Sequence, residues 1–363
     1  MTACGAEQAP NLSPDSPAPL SVAAMDAIAA APGADREELA RRVDAHFTRT
    51  DLGETRAVIV MHDGQIAAER YGAGYDEGTR FVSWSMAKTV TAVMIGILVA
   101  DGKLELDETP PIPNWHRAGD PRGEITLRQL LQMRSGLRHT ETSDPAYAAD
   151  TVKMLFLEGR DDMAAWAEAQ PLEAEPGRKF EYSTATTVIL ADIAVRALTD
   201  SRDPDARREA VASFLETRLF APLGMHSMVP EYDAAGTLIG GSLIHGTARD
   251  WARFGEFLRR RGAVDGVQLV PTGWIDFMTT PSPRAPDYGG QTWLNRPSGA
   301  DRDALFARRG PASLFGAVGH LGQYVLVSPE QRLTIVRLGK TDDAIRPAVL
   351  DALADVVELY PRP

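Results

Sequence analysis

The stretch FVSWSMAKTVTAVMIGILVADGKLELDETPP, residues 81–111, contains a serine and a lysine three positions apart, Ser85 and Lys88. A long apolar run follows and ends at an Asp-Gly pair, as expected of a buried helix. A lysine on a buried face is unfavourable unless it is paired or has a chemical role. The stretch therefore predicts a helix whose first turn carries chemistry, or a lysine whose methylene stem reaches the surface.

The chemical interpretation follows from the spacing of Ser85 and Lys88. Residues three apart lie on one face of a helix, so the hydroxyl and the ammonium can meet. We expect Ser83 to cap the helix and to place Ser85 in its first turn, near the positive end of the helix dipole. Burial and this dipole should both lower the pKa of Lys88. An uncharged amine beside a serine hydroxyl is a general base for attack on a carbonyl.

A second motif, PGRKFEYSTATTVILADIA, places Tyr182 between a Pro-Gly turn and an apolar helix. A tyrosine at such a position can direct its hydroxyl into a cleft. Next to an ammonium group we expect its pKa to fall, which would suit it to relay a proton to a leaving group. The alternative is an aromatic side chain that only packs at a rim.

The third motif is FGAVGHLGQYVLVSPEQRLTIVRLG, in which glycines at 316, 319 and 322 interrupt a strand-like pattern and His320 lies between them. Glycine in a strand often permits the close approach of a ligand. An edge strand here would offer backbone N–H groups to an oxyanion. A glycine-rich bend without function is the alternative.

The order of the predicted elements indicates an α+β protein. Residues 1–33 are rich in Pro, Ala and Ser, and we expect a disordered leader or tether there. Strand patterns occur in 34–120 and again in 229–363, whereas 121–228 contains helical patterns. We therefore expect a sheet domain built from both ends of the chain, an inserted helical domain, and a cleft at their junction.

Composition excludes some classes of partner. The 363 residues carry a net charge of −12, and both nucleic acid and an anionic membrane surface favour a basic face. The seven histidines show no paired metal-ligand spacing, so we expect no metal and no cofactor. The G-x-S-x-G motif of α/β-hydrolases does not occur. The partner that remains is a small-molecule substrate, and the sequence does not indicate an oligomeric state.

The only cysteine, Cys4, lies in the string MTACG before the Pro-rich segment. This context is typical of the cleavage end of a bacterial lipoprotein signal, although the basic and apolar parts of such a signal do not precede it. Two interpretations stay open. The protein is either an extracytoplasmic lipoprotein anchored at Cys4 or a cytoplasmic bacterial protein with a disordered N-terminus.

Taken together, the motifs resemble the serine β-lactamase and penicillin-binding-protein family, and within it the class C branch and the 6-aminohexanoate-dimer hydrolase type. The resemblance covers roughly residues 38–361 and rests on SWSMAKTVTAVMIGILVADGKLELDETPPIPNW, GDPRGEITLRQLLQMRSGL, FEYSTAT, GGSLIHGTARDWARFGEFL and GHLGQYVLVSPE. It implies the β-lactamase/transpeptidase-like α+β fold, which has an antiparallel sheet flanked by helices and an inserted all-helical domain.

The resemblance also implies roles for individual residues. Ser85 resembles the nucleophile of the family, Lys88 its base, and Tyr182 the tyrosine of the Y-x-N element. His320 and Gly322 lie where the family has K-T-G or H-x-G. The oxyanion hole would then combine the Ser85 N–H with an N–H of that strand, supplied by His320 or by Gln323.

Three departures from the family pattern shape the expected activity. Thr184 replaces the asparagine of Y-x-N, the third element lacks a lysine, and the class A S-D-N element has no counterpart. They favour a serine hydrolase that acts on an ester or an amide over an efficient β-lactamase. Two further residues are candidates for substrate contact, namely Tyr147 as a loop residue closing over the substrate and Asn295 as a residue facing the cleft.

Other functions remain as alternatives to the esterase or amidase. A β-lactamase or a DD-peptidase would use the same three motifs. A penicillin-binding-like sensor would be acylated at its serine slowly or not at all. Continued turnover indicates an enzyme, whereas a burst of one product equivalent indicates the sensor.

Overall fold

The computed structural model describes residues 19–299 and 302–362. In this part of the chain the main sheet has six antiparallel strands in the order β2-β1-β11-β10-β9-β8. The strands are β1 (Glu54–His62), β2 (Gln65–Tyr71), β3 (Arg80–Val82), β4 (Val229–Pro230), β5 (Ile244–Thr247), β6 (Ala263–Val264), β7 (Val267–Gln268), β8 (Trp293–Leu294), β9 (Phe315–Gly319), β10 (Gln323–Ser328) and β11 (Leu333–Lys340).

The helices cover both faces of this sheet and fill the middle of the chain. They are α1 (Val22–Asp26), α2 (Arg36–Thr48), α3 (Ala87–Ala100), α4 (Leu127–Leu131), α5 (Asp150–Phe156), α6 (Met163–Glu168), α7 (Thr184–Leu198), α8 (Pro204–Leu215), α9 (Ala248–Arg259), α10 (Thr272–Met278) and α11 (Arg346–Val357). Across residues 19–299 and 302–362, every helix is too short or too polar to cross a bilayer.

The sheet separates two hydrophobic cores because successive side chains of a strand point to opposite faces. In β1, Val58 and Val60 pack into the core that α2 and α11 cover. The alternate residues Ala57 and Ile59 pack into the larger core, which includes α3, α7 and α9. The predicted hairpin is also present, since β1 and β2 join at a turn where Asp63 and Gly64 have φ of 52° and 78°.

The predicted α+β fold, with its antiparallel sheet flanked by helices, is confirmed. The regular elements of residues 121–228 are all helical. Their apolar side chains share one continuous core with α3; Leu127, Val188 and Val90 are all members of it. The division into a sheet domain and an inserted helical domain, with boundaries near 120 and 229, stays a prediction.

The N-terminal part of the chain differs from the predicted tether where the structure describes it. Residues 22–26 form α1, and Ala24 and Ile28 are buried. The guanidinium of Arg36 donates to the carbonyl oxygens of Met25, Ile28 and Ala29. Apolar burial and these hydrogen bonds hold a segment whose composition suggested disorder. Cys4 and the proposed lipid anchor lie outside the described residues.

The buried helix α3 carries the site. Its residues 87–98 are all buried, and it packs against α7. A glycine pair lets a third segment approach both helices: a Cβ on Gly240 would lie 2.4 Å from Oγ1 of Thr91, and one on Gly241 would lie 2.9 Å from Cγ2 of Thr184. The starts of α3 and α7 therefore meet the Gly240-Gly241 segment beside the edge of the sheet.

Candidate active site

Ser85 lies in a 3₁₀ turn, Trp84–Met86, that leads into α3. Trp84 has φ of 45°, in the left-handed region that a bulky residue seldom adopts, and such strain is often found at functional sites. The predicted cap is wrong, because Ser83 makes no capping hydrogen bond. Its hydroxyl instead accepts from the N–H of Ile244 and donates to the carbonyl of Trp84, which fixes the turn against β5.

Lys88 is buried and does not reach the surface. Its Nζ lies 2.9 Å from Oγ of Ser85, 2.8 Å from Oγ1 of Thr184 and 2.8 Å from the carbonyl oxygen of Gly241. Burial lowers the pKa of Lys88 to about 8, and the charge of Glu141 opposes part of this shift. The amine can therefore lose its proton near neutral pH, in the direction that the sequence predicted.

Thr184 connects Lys88 to a carboxylate. Its hydroxyl donates to Oε1 of Glu141 at 2.6 Å, and its backbone N–H donates to Oε2 of Glu141 at 2.8 Å. The other oxygen contacts of Glu141 are Nε2 of His139 at 2.7 Å and the hydroxyl of Thr151 at 2.9 Å. Thr184 thus takes the place of the expected asparagine and faces the protein interior rather than a substrate.

Glu141 is charged at neutral pH. Burial raises its pKa, but the hydrogen bond from His139 and the charge of Lys88 outweigh burial and hold the pKa at about 2. Sequence reasoning missed Glu141, because it lies in an irregular loop, RHTETSDPAY, without any periodic or motif signal. Thr140 and Asp150 close the loop at its base. The N–H of Asp150 donates to the carbonyl of Thr140, and the N–H of Thr140 donates to the carboxylate of Asp150, both at 2.9 Å.

Tyr182 directly precedes Ser183, the N-cap residue of α7. Its ring centroid lies 4.9 Å from Nζ of Lys88, and its phenol lies near Ser85 and Trp293. The predicted direction of its pKa is wrong: burial and the charge of Glu141 raise the pKa of Tyr182. The phenol is therefore neutral and carries its proton at neutral pH. The structure brings Ser85, Lys88 and Tyr182 together.

The edge of β9 lies against the turn that holds Ser85. A Cβ on Gly319 would lie 2.3 Å from the carbonyl oxygen of Ser83, so only glycine permits this contact. Strand β8 pairs with Phe315 and Gly316, and β9 continues to Gly319 beyond that pairing. The part of β9 beyond β8 therefore lies beside the turn that holds Ser85, and the oxyanion N–H predicted from His320 or Gln323 stays a prediction.

The remaining residues of the third motif have structural contacts. The exposed ring of His320 packs edge-on against Trp84, with centroids 5.4 Å apart. The carbonyl of Gly322 accepts from the buried Arg337 at 2.8 Å. The amide of Gln323 exchanges two hydrogen bonds with the backbone of Gly339, at 2.7 and 2.9 Å. The Gln323 side chain thus joins two strands instead of facing a substrate.

The two candidates for substrate contact have different positions. Asn295 is buried, and its amide donates to the carbonyls of Arg309 and Pro311 at 2.8 and 3.1 Å, so the prediction that it faces the cleft is wrong. Tyr147 is 68% exposed in a 3₁₀ turn of the loop that starts at Glu141. Its role as a residue closing over the substrate stays a prediction.

Metal ligands do not collect in the described part of the chain. Within residues 19–299 and 302–362, His, Cys, Asp and Glu side chains form no group of three or more that could hold a metal ion.

A serine hydroxyl and a buried amine at the start of α3, together with a neutral phenol just before α7, form a candidate serine hydrolase site. A sequence model of the Beta-lactamase family matches residues 53–358, and the chain belongs to this family. The suspected resemblance is thereby confirmed, and membership of this family supports the prediction that the protein is an enzyme, a serine hydrolase.

Two relatives carry the name 6-aminohexanoate-dimer hydrolase. That of Paenarthrobacter ureafaciens is 27% identical over 258 residues, 65% of this chain and 61% of the relative, so the chain spans about three fifths of that protein. The structure of a putative 6-aminohexanoate-dimer hydrolase from Bacillus anthracis superposes with a TM-score of 0.66 at 22% identity, covering 86% of this chain and 82% of that one.

A family VIII carboxylesterase has the same fold. Its structure superposes with a TM-score of 0.66 at 16% identity and covers 91% of this chain and 98% of its own. At this identity the likeness concerns the fold alone.

Proposed function

We propose that the protein hydrolyses a small-molecule ester or amide through an acyl-enzyme on Ser85, as an esterase or amidase of the 6-aminohexanoate-dimer hydrolase or carboxylesterase type. The observation that carries this proposal is the set of hydrogen bonds around Lys88. A carbonyl oxygen can only accept, so the contact with Gly241 uses an N–H of the amine. Thr184 gives its single hydroxyl proton to Glu141, so its oxygen also accepts from Lys88.

These two contacts orient the base. When Lys88 is neutral, both of its N–H bonds are directed to Gly241 and Thr184, and its lone pair is left facing Oγ of Ser85 at 2.9 Å. The pKa of about 8 makes this neutral form accessible. Geometry and pKa therefore favour proton transfer from Ser85 to Lys88.

The reaction then proceeds in two stages. Lys88 accepts the Ser85 proton as Oγ bonds to the substrate carbonyl carbon, and the oxyanion is held by the N–H of Ser85 and an N–H of β9. Each such donor contributes about 3 kcal/mol to lowering the barrier. The proton passes from Lys88 through the phenol of Tyr182 to the leaving oxygen or nitrogen, whose bond to carbon breaks. In the second stage water gives a proton to the same pair as its oxygen bonds to the acyl carbon. The bond from that carbon to Oγ of Ser85 then breaks, and the proton passes to Oγ as the acid leaves.

Two features favour an ester or a linear amide as the substrate. The names of the relatives point to a linear amide dimer and to carboxylic esters. In this chain Thr184 is occupied by Lys88 and Glu141, and His320 stands where the K-T-G element of the family has its lysine. A fixed cation for a β-lactam carboxylate is therefore missing from this motif. β-Lactamase, DD-peptidase and sensor activities remain the alternatives.

The test compares p-nitrophenyl acetate and butyrate, a linear amide dimer and nitrocefin as substrates of the wild type. We expect continuing turnover of the esters or the amide, weak turnover of nitrocefin, and loss of activity by about 10⁴-fold in Ser85→Ala. A fluorophosphonate followed by peptide mass spectrometry should label Ser85.

The matched control is Ser328→Ala, since Ser328 is a buried serine that bonds to Gln331 away from the site. It should keep wild-type activity. Full activity in Ser85→Ala would refute the proposal. A single burst without turnover would identify the sensor, and preference for nitrocefin would identify a β-lactamase.

A further inference from the structure

The ring of Tyr182 is held by a small aromatic cluster separate from both main cores. In this cluster, Tyr288 packs with Met133 and Ala285, and the half-buried rings of Phe180, Tyr182 and Trp293 pack against them. Tyr182 stacks on Trp293, with centroids 5.2 Å apart and planes at 29°. It also meets Tyr288 edge-on at 5.8 Å. The orientation of the phenol thus depends on a few rings at the side of the cleft.

A cation lies at each end of the stacked pair. Nζ of Lys88 is 4.9 Å from the centroid of Tyr182. Cζ of Arg302 is 5.6 Å from the centroid of Trp293 and 4.9 Å from that of Phe180. All three distances lie in the range of cation–π attraction. Successive contacts therefore connect Lys88, Tyr182, Trp293 and Arg302, from the proposed base to a side chain that is 31% exposed.

Arg302 is itself fixed in direction by an ion pair. Its Nε and Nη2 donate to the two carboxylate oxygens of Asp287 at 2.8 and 2.6 Å. The side chain of Asp287 is 2% exposed, whereas that of Arg302 is 31% exposed. Asp287 adjoins Tyr288, and its carbonyl accepts from the N–H of Leu294, the residue after Trp293. The bidentate pair therefore ties the guanidinium to the segments that carry two rings of the cluster.

We propose that Arg302 is a positioning residue for the proton transfer of Tyr182 and acts through the ring of Trp293. The proposal rests on the proposed function, because it assumes that Tyr182 protonates the leaving group. The planar guanidinium contacts the ring of Trp293, and that ring in turn stacks on Tyr182. Loss of this contact lets both rings tilt, and a displaced phenol delivers its proton less efficiently. A lysine cannot replace the planar, bidentate contact.

The test uses leaving groups that differ in their need for a proton. p-Nitrophenolate leaves without protonation, whereas ethoxide requires it, so p-nitrophenyl acetate and ethyl acetate share an acyl group and differ in this step. We expect Arg302→Met to lower kcat/KM, which reports the acylation step, on ethyl acetate by roughly tenfold and on p-nitrophenyl acetate by less than about twofold. The rates of Arg302→Lys on the two esters should be close to those of Arg302→Met.

A double-mutant cycle separates positioning from a general structural role. In the Tyr182→Phe background, Arg302→Met should cause no further loss on ethyl acetate, because the group that it positions is gone. Asp287→Asn combined with Arg302→Met avoids leaving a buried carboxylate unpaired and should show the same selectivity for the leaving group.

Arg253→Met is the matched control. Arg253 is 48% exposed and pairs with Asp250, which is 3% exposed, without an aromatic contact to the site. It should change neither ester rate. Equal losses on both esters, or a full additional loss in Tyr182→Phe, would overturn the proposal for Arg302. Absence of ester turnover in the wild type, or Ser85→Ala as active as the wild type, would instead refute the proposed function.

Discussion

Two buried cations in this molecule, Lys88 and Arg337, are alike in their surroundings and differ in what they can do. Each is at most 1% exposed, and each donates to carbonyl and hydroxyl oxygens. Arg337 in β11 bonds to the carbonyl of Gly322 at 2.8 Å and to the hydroxyls of Thr55 and Thr341 at 3.0 and 2.7 Å.

The difference lies in the pKa and in one of the acceptors. Burial lowers the pKa of Arg337 to about 10, which leaves the guanidinium charged at neutral pH, and lowers that of Lys88 to about 8. The acceptors of Arg337 are fixed parts of the sheet, whereas one contact of Lys88 is the hydroxyl of the half-buried Ser85. A buried cation thus serves structure when its charge is permanent and chemistry when its proton is exchangeable beside a reactive hydroxyl.

The largest expected effect is on the activity of Lys88→Met. Removal of the base should lower kcat/KM on p-nitrophenyl acetate by about 10⁴-fold, while circular dichroism and the melting temperature indicate a folded protein. In the wild type, kcat/KM should rise with pH and level off above about 8, because the neutral amine is the active form. A rate that falls across that range would contradict the role of Lys88.

Arg337→Met should show the opposite pattern. Its loss leaves buried carbonyls and hydroxyls without a donor, so the free energy of unfolding should fall by about 4 kcal/mol. Chemical denaturation measures this value. At a temperature where the variant is folded, its kcat should lie within tenfold of the wild type. A collapse of kcat in a fully folded Arg337→Met would remove the contrast with Lys88.

Glu141→Gln tests how the base is tuned. The negative charge of Glu141 raises the pKa of Lys88, so its removal should move the rise of kcat/KM to lower pH. The plateau should fall by roughly 10- to 100-fold, because glutamine offers one acceptor in place of two and cannot accept from both the hydroxyl and the N–H of Thr184 as Glu141 does.

The pH–rate profile of Glu141→Gln is compared with that of Glu168→Gln. Glu168 is also buried, and burial together with the nearby Asp192 raises its pKa to about 7. It lies at the end of α6 and should leave the pH–rate profile of the enzyme unchanged. A profile of Glu141→Gln that matches the wild type would show that Glu141 does not tune Lys88.

The smallest effect is expected for Asn295→Ala. The amide bonds only to the carbonyls of Arg309 and Pro311, so its removal should lower the free energy of unfolding by about 2 kcal/mol. The KM for each ester should stay as in the wild type. A raised KM with unchanged stability would restore Asn295 to the substrate-binding residues.

Local pattern was sufficient for the elements and for part of the site. The apolar run after Ser85 predicted α3, and the Asp63-Gly64 pair predicted the hairpin of β1 and β2. The spacing of Ser85 and Lys88 predicted their contact, since three residues of helix bring the two side chains together. The resemblance of the FEYSTAT motif to the Y-x-N element of the family predicted Tyr182 as a site residue.

Contacts across long sequence separations could not be predicted in the same way. Glu141 reaches Thr184 over 43 positions, and no composition or period distinguishes it from other loop acids. Asn295 and Gln323 carry polar side chains in strand-like contexts, which suits a substrate site as well as a buried hydrogen bond. Only the neighbours in space showed that the amide nitrogens of both side chains already donate to backbone carbonyls.

The sequence by itself determined the family, the α+β class, and the serine and lysine at the start of α3, because each depends on residues adjacent along the chain or one helical turn apart. The tertiary structure decided the charge state of the site: which oxygens receive the protons of Lys88, that Tyr182 is a neutral phenol, and that a carboxylate lies behind Thr184. Burial and charge act through space, so the pKa values of these groups are set only once distant segments have packed against one another.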